Sequence, residues 1–560
     1  MLRLAPALAL LVLLGPVACG LIATFLPAFG YLPSLGGNEF TTRHFHDVLQ
    51  VGGMARSLSL SYFTGLATTL IAFVIVWLFV AGWYGTAMFS RMQHLISPLL
   101  SVPHAAAAFG LAFLIAPSGM LLRVLSPWAT GFDRPPDWLL LQDPNGIALI
   151  AGLVVKEIPF LLLVTLAALP QTPAAQAARV AGSMGYGRIA GFTFATWPLV
   201  YRQIRLAVFA VIAFATSTVD VALVLGPATP PTLAVKLTQW MSDPDIALRF
   251  TACAGALLQL GVTMAAILTW IAGERIIAAV CTKLRNGGAR FVRDATLRAT
   301  GATLTGSAAF TVFAGLAMLA LWSVSGFWSF PDALPGSYNL RSWSRTLPQL
   351  SGPLVTTLAT GLIATAIAVV LTLACLEREA RTGRTGGNRA LLFIYIPLLI
   401  PQVAFVFGLQ LFFLGLGWDA SFPALVFVHL IFVLPYVFLA LSDPWRAYDK
   451  RFVWLSAGLG QSPTRTFWRV RFPMLLKPVL VAAAVGLAVS IGQYLPTLLI
   501  GAGRWPTVTT EAVALASGGN RRVIGVMAFV QMVLPFIGFA LAAAIPALLF
   551  RKRRGMGLAA

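Results

Sequence analysis

Two copies of one short basic pattern, each set between long apolar runs, constrain this chain more than any other feature. The first reads GYGRIAGFTFATWP, from Gly185 to Pro198, and the second GQSPTRTFWRVRFP, from Gly460 to Pro473. In each, a glycine stands thirteen residues ahead of a proline, and the copies lie 275 residues apart. The same offset relates Gly226 to Gly501, Pro231 to Pro506 and Thr232 to Thr507, so the copies sit inside larger units. Self-similarity that keeps its register over such a distance reads as a tandem duplication.

The flanking runs decide the medium. With 58% hydrophobic and only 10% charged residues, the chain lies far from the quarter charged residues expected of a soluble domain. Runs of about twenty apolar residues, enough to cross a hydrocarbon core, number about twelve. The expected fold is all-α: a polytopic membrane protein of about 12 transmembrane helices, in two parallel six-helix repeats related by an axis along the membrane normal. Residues 1–272 form the first repeat, with its handle in the loop 179–203. A basic linker, 273–300, leads to the second repeat, 301–560, with its handle in the loop 450–477. Parallel repeats put both handles on the same side of the bilayer.

A formal charge of +21 raises nucleic acid as a partner, but the charge falls in alternate loops. Arg275, Lys283, Arg285, Arg290, Arg293 and Arg298 crowd the linker, Arg378, Arg381, Arg384 and Arg389 a second loop, and Arg551, Lys552, Arg553 and Arg554 the tail. The intervening loops hold Asp133, Asp137, Asp143, Asp243, Asp245 and Asp332. This positive-inside asymmetry puts both termini and both handles in the cytoplasm, and anionic lipid of the bilayer, with no nucleic acid, accounts for the bases. The first apolar run is expected as an uncleaved span, and Pro16, three before Cys19, argues against lipidation of that cysteine. The four cysteines show no disulfide or metal spacing. His44, His46 and Asp47 read as a solvated loop for want of a further ligand nearby, so no metal and no cofactor is expected.

Polar residues inside the runs mark the candidate passage. Lys156 and Glu157 fall mid-span, where each costs about 2.5–3.5 kcal/mol unless it faces protein or water. Neighbours on a helix point about 100° apart, so each needs its own partner on another span, as an ion-pair network or as a pathway or gating device. Asp220 and Gln493 sit near the ends of corresponding spans and could line a polar passage or be satisfied packing groups. PHAAAAFG, from Pro103, and PQVAFVFG, from Pro401, pair small residues with a kink-permitting proline. From Gly110 to Pro159 the first half spans 49 residues, against 27 from Gly408 to Pro435, and the excess, a segment around SPWATGFDRPPDW within 123–146, reads as an extra extracytoplasmic loop. The Gly, Pro and Thr clusters from Gly226 and Gly501 predict ordered re-entrant or loop structure.

The handles resemble the EAA-type coupling loop of the permease subunits of binding-protein-dependent ABC importers, whose pattern is a glycine followed thirteen residues on by a proline. The resemblance covers nearly the whole chain, since fused permeases of the ferric-iron and thiamine type also carry two six-span halves. It implies that Gly185, Arg188, Pro198, Gly460, Arg465, Arg469 and Pro473 belong to loops coupling to two copies of a separate ATPase subunit. It also implies a periplasmic substrate-binding protein as partner, a bacterial inner-membrane location, and a small polar or ionic solute as cargo. Arg179 and Trp454 stand where that family has glutamate, so the contact made by the glutamate does not carry over. The chain itself is expected to be a permease and no enzyme: the nearest approach to a phosphate-cradling loop, GATLTGSA from Gly301, lacks the lysine. A secondary transporter of the major-facilitator type is the alternative; it would carry a G-x-x-x-D-R-like loop after span two, where this chain has FSRMQH. A membrane-embedded enzyme is the other, and the five histidines form no HExxH or similar signature.

Overall fold

Apolar runs become helices here because only an intrasegment ladder satisfies every backbone polar group in hydrocarbon. A computed structural model describes residues 2–383, 387–516, 518 and 520–551. Arg384, Lys552, Arg553 and Arg554, counted above among the basic residues, lie outside the described residues, as does the side chain of Arg389. In the first half the long helices are α1 (Ala5–Ala28), α2 (Met54–Trp83), α3 (His104–Ile115), α4 (Ile147–Ala168), α5 (Trp197–Ser217) and α6 (Leu248–Asn286). In the second they are α7 (Ala295–Val324), α8 (Arg341–Thr382), α9 (Gln402–Gly415), α10 (Phe422–Arg446), α11 (Leu476–Ile491) and α12 (Arg521–Leu549). Among the described residues ten helices are long and apolar enough to cross a membrane, or twelve if two bent pairs each count as one span.

Two corresponding breaks, one in each half, fall at prolines. The apolar run that contains PHAAAAFG is not one helix but Ala87–Ile96, a 3-10 turn over Ser97–Ser101, and then α3. Val102, before Pro103, is held extended (φ −68°, ψ 123°), as the proline ring demands of the preceding residue. The second half does the same at Pro401, where Leu391–Leu399 meets α9 at 87°. The expected linker is largely helical as well, since α6 continues to Asn286 and α7 begins at Ala295.

The halves interlock through their first helices. Gly20 of α1 lies so close to α9 that a Cβ there would meet the Phe405 carbonyl, and one at Gly408 would meet the Gly20 carbonyl. In the same way Gly110 of α3 and Gly315 of α7 would each place a Cβ 2.9 Å from the other's backbone. Lipid tails are as apolar as side chains, so such helices associate by close van der Waals approach, which small residues permit.

One face of the molecule carries the handles. Residues 187–294 close on themselves there: Asp294 Oδ2, beside the start of α7, accepts from the Ile189 backbone N–H at 2.9 Å. Gln171, ahead of the first handle, donates to Asp443 Oδ2 at the end of α10 at 3.3 Å. The other face holds the connections between α1 and α2, α3 and α4, and α7 and α8. There the extra segment around Trp128 and Trp138 ends at Asp143, which accepts from the Ile147 and Ala148 backbone N–H groups at 2.8 and 3.0 Å and so starts α4. The Gly/Pro/Thr clusters do form ordered structure. Leu233 donates its N–H to Ser61 Oγ at 2.9 Å, and the matching Val508 donates to Thr357 Oγ1 at 3.0 Å.

Candidate functional site: a central cavity and two surface handles

The broken spans open onto a cavity of about 220 Å³ lined from both halves. Lys156, Glu157, Asp220 and Gln493, singled out from the sequence, all line it. Glu157 and Lys156 are only 4% and 5% exposed, so each must be satisfied by protein. The Lys156 ammonium donates to the Leu99 and Leu100 carbonyls at 3.0 and 3.1 Å. Those carbonyls come from the turn before α3, where the break at Pro103 removes the regular helical ladder. Glu157 Oε1 lies 3.4 Å from His104 Nε2, on the first residue of α3. The two neighbours therefore turn to different partners, and that of the lysine is backbone. Asp220 accepts from Thr218 Oγ1 at 3.1 Å.

The second half contributes a matching, uncharged wall. Gln402 follows Pro401 as His104 follows Pro103, and its Nε2 donates to Gln493 Oε1 at 3.4 Å. Tyr436 and Tyr494 add hydroxyls, and Phe160, Phe214, Phe432 and Phe539 add rings. Sequence reading passed over His104, Gln402 and the two tyrosines. A signal existed, because His104 and Gln402 occupy the same place in the two proline motifs.

The handles share one backbone shape in register. A helix over Ala174–Ser183 ends at Gly185, and one over Arg451–Gly458 at Gly460. Both glycines are left-handed, at φ +79° and +71°. The next N–H reaches back five residues in each, from Tyr186 to the Ala181 carbonyl at 3.1 Å and from Gln461 to that of Ser456 at 3.0 Å. This is the glycine-terminated helix end. One α-turn follows, Arg188–Gly191 or Pro463–Thr466, then one π-helical turn, Phe192–Thr196 or Phe467–Arg471. Each boundary of these two turns differs between copies by the same 275 residues as the sequence repeat. Between helix and turn, Ala181 meets Gly191 closely, and the matching Ser456 and Thr466 share a 2.7 Å hydrogen bond. The outer faces are apolar: Val180 and Met184, and the matching Leu455 and Leu459, are each more than half exposed.

The surroundings of the two handles differ. The first is clamped by residues between α6 and α7: Gly187 donates to the Arg290 carbonyl at 2.9 Å, and the Arg290 guanidinium stacks 4.4 Å over the Tyr186 ring. Arg188 donates to the Tyr84 carbonyl at 2.5 Å, so this arginine is engaged by the fold. In the second handle, Arg465 and Arg469 are exposed. Arg471, two residues after Arg469 in the same basic pattern, is by contrast buried. It pairs with Glu377 of α8 at 2.6 Å and lies over the rings of Trp445 and Tyr448. Its position in the π turn directs it inward, where Glu377, itself bonded to Arg381 at 2.7 Å, compensates the charge.

Comparison with known proteins bears on both features. Residues 371–554 match the family described as binding-protein-dependent transport system inner membrane component. Over 491 residues, 87% of this chain and 86% of the relative, the chain is 34% identical to the inner membrane ABC transporter permease protein YnjC of Escherichia coli (strain K12). It is 25% identical over 186 residues, 31% of this chain and 65% of the relative, to the putrescine transport system permease protein PotI of the same organism. A spermidine/putrescine transport system permease protein PotC homolog of Mycoplasma pneumoniae is 24% identical over 188 residues, 34% of this chain and 65% of the relative. This chain therefore belongs to the binding-protein-dependent ABC importer permeases: it is a multi-pass inner-membrane subunit, not an enzyme, whose ATPase is a separate chain.

Proposed function

We propose that the two handles are where separate ATPase subunits grip this permease, one copy beneath each, and that the central cavity is a section of the solute passage. The observation that carries the reading is the shared handle shape, with an apolar outer face at matching positions in both copies. A pair of identical motor subunits needs two equivalent footholds on one face, and a chain that contains the repeat twice can supply both. Basic residues around the handles support a cytoplasmic placement of that face and of both termini. A periplasmic substrate-binding protein then delivers from the opposite face. Closure of the ATPase pair on ATP draws the handles together, and the halves rock so that the cavity opens to one side and then the other.

The cargo under this reading is a small polar or ionic solute. Two carboxylates, Glu157 and Asp220, beside several aromatic rings suit a small cation, because ring faces and carboxylates both favour positive charge. Relatives named for putrescine transport support the same class. Purification of the tagged permease from its native membrane, followed by subunit counting, tests the handles. Two ATPase copies per chain, lost when Gly460 and Pro473 are replaced, are expected; a chain running alone under conditions that keep it folded would sink the proposal. Uptake by Glu157→Gln and Asp220→Asn tests the passage separately.

A further inference from the structure

We infer that a second polar site, on the face opposite the handles, binds a phosphate group between Arg341, Arg345 and Arg522. A pocket of about 240 Å³ lies between the α7–α8 connection and the start of α12, lined by these arginines with Asn339, Ser342 and Asn520. It shares no lining residue with the central cavity. Among the described residues no acidic one lines it. Among the described residues the three guanidinium groups make no hydrogen bond, ion pair or ring contact; what is engaged is backbone, as where the Arg341 and Arg522 N–H groups donate to the Asn339 and Asn520 side chains.

Nearby arginines on the same face show what structural use looks like. Arg123 is buried, donates to the Ser118, Ser329 and Asp332 carbonyls, and lies 4.7 Å over the Trp328 ring. Arg521, adjacent to Arg522, donates to Ser118 Oγ at 2.7 Å and stacks on Trp322. Those two hold the fold, whereas the other three gather like charge in one concavity with nothing opposing it. Mutual repulsion makes such a cluster unfavourable until an anion enters. Guanidinium forks present paired donors that match phosphate oxygens, and three forks from two helices suit a tetrahedral oxyanion better than a planar carboxylate, which offers two oxygens.

The position fits as well. The other end of α7 lies beside the first handle, and thirty residues of helix place the pocket about 45 Å away, across a bilayer thickness. Trp343, between two of the arginines, donates its Nε1 to Ser323 Oγ at 3.3 Å and packs against Phe529, in the manner of an interfacial tryptophan. The phosphate is supplied either by an anionic phospholipid headgroup or by a free phosphate ion.

The full-length permease in detergent is titrated with inorganic phosphate and, separately, with short-chain phosphatidylglycerol. Chloride at matched ionic strength is the reference and the thermal unfolding midpoint the readout. A saturable rise is expected, with the half-saturating concentration raised about tenfold in Arg345→Gln and Arg522→Gln. Arg345→Lys, which keeps the charge but not the fork, should recover part of the response. Saturation by phosphatidylglycerol far below the inorganic phosphate concentration identifies the headgroup as the source, and the reverse order identifies the free ion. Unliganded midpoints of the Gln variants should equal or slightly exceed that of the wild type, because these guanidinium groups make no hydrogen bond, ion pair or ring contact among the described residues and losing one relieves like-charge repulsion; Arg341→Gln serves as a third variant should one misfold. If wild type and variants respond alike to both probes, or chloride reproduces the rise, the site does not exist.

Discussion

At the scale of single residues, the cavity shows how a membrane interior treats adjacent charges. Lys156 and Glu157 do not neutralise one another; one is held by two backbone carbonyls and the other by His104. Their replacements should therefore separate. Lys156→Met removes the ammonium that bonds the Leu99 and Leu100 carbonyls, leaving Leu99 only the Val102 N–H at 3.3 Å, and should lower stability by about 1–3 kcal/mol, seen as a lower unfolding midpoint. Glu157→Gln keeps a polar partner for His104 and should leave the midpoint nearly unchanged while lowering uptake. Equal midpoint losses in both variants would show that neither has a role beyond packing. The sequence revealed that each charge needed a partner, since two neighbours on a helix cannot point the same way. It could not reveal which, because the carbonyls of Leu99 and Leu100 become acceptors only through the break at Pro103. Arg471 and Glu377 teach the same lesson at the second handle. Glu377→Leu strands a buried guanidinium and should cost about 3–5 kcal/mol. Arg471→Met should cost less, because Glu377 retains Arg381 at 2.7 Å.

At the scale of elements, two kinds of irregularity set the architecture: breaks at prolines and close crossings at glycines. The proline motifs were legible as kinks, and the small residues beside them as packing faces. Periodicity says only that a face is small, and is silent on what lies against it; hence the exchange of α1 and α7 between halves could not be read from Gly20 or Gly315 alone. The crossings are testable. Gly408→Ala and Gly110→Ala push a Cβ into backbone, which cannot yield as a side chain can, and each should cost about 1–3 kcal/mol. Gly415→Ala, on α9 with nothing within 4 Å of its added Cβ, is the matched control and should be neutral or slightly stabilising. A midpoint for Gly408→Ala equal to that of Gly415→Ala would mean that α1 and α9 do not approach as described. The π turns are a further irregularity that spacing did not disclose. The spacing of glycine and proline marks the handles, but the residues of Phe192–Thr196 and Phe467–Arg471 carry no pattern that separates a π turn from an α turn.

At the scale of the whole molecule, the shared backbone of the handles coexists with unequal anchoring, and that inequality makes the coupling proposal testable in a directed way. The first handle is tied to the connection between halves through Asp294, Gly187 and Arg290. The second is tied to its own half through the pair of Arg471 with Glu377 on α8, and leaves Arg465 and Arg469 exposed. Force applied at the second handle thus enters α8 directly, whereas force at the first enters both the start of α7 and the linker. Reversal of the two exposed charges, Arg465→Glu with Arg469→Glu, touches neither anchor. It should leave the unfolding midpoint unchanged while weakening ATPase association by about tenfold or more, equivalent to about 1.4 kcal/mol of docking energy. Asp294→Ala should behave in the opposite sense. It removes the acceptor of the Ile189 N–H and loosens the first handle from α7, so the ATPase should still bind and hydrolyse ATP while solute uptake falls. Measuring ATPase retention, ATP hydrolysis and uptake on both variants distinguishes a lost foothold from a lost linkage. If the double reversal keeps normal ATPase retention and uptake, the handle is not the foothold; if Asp294→Ala loses hydrolysis and uptake together, the linker contact serves binding and not transmission.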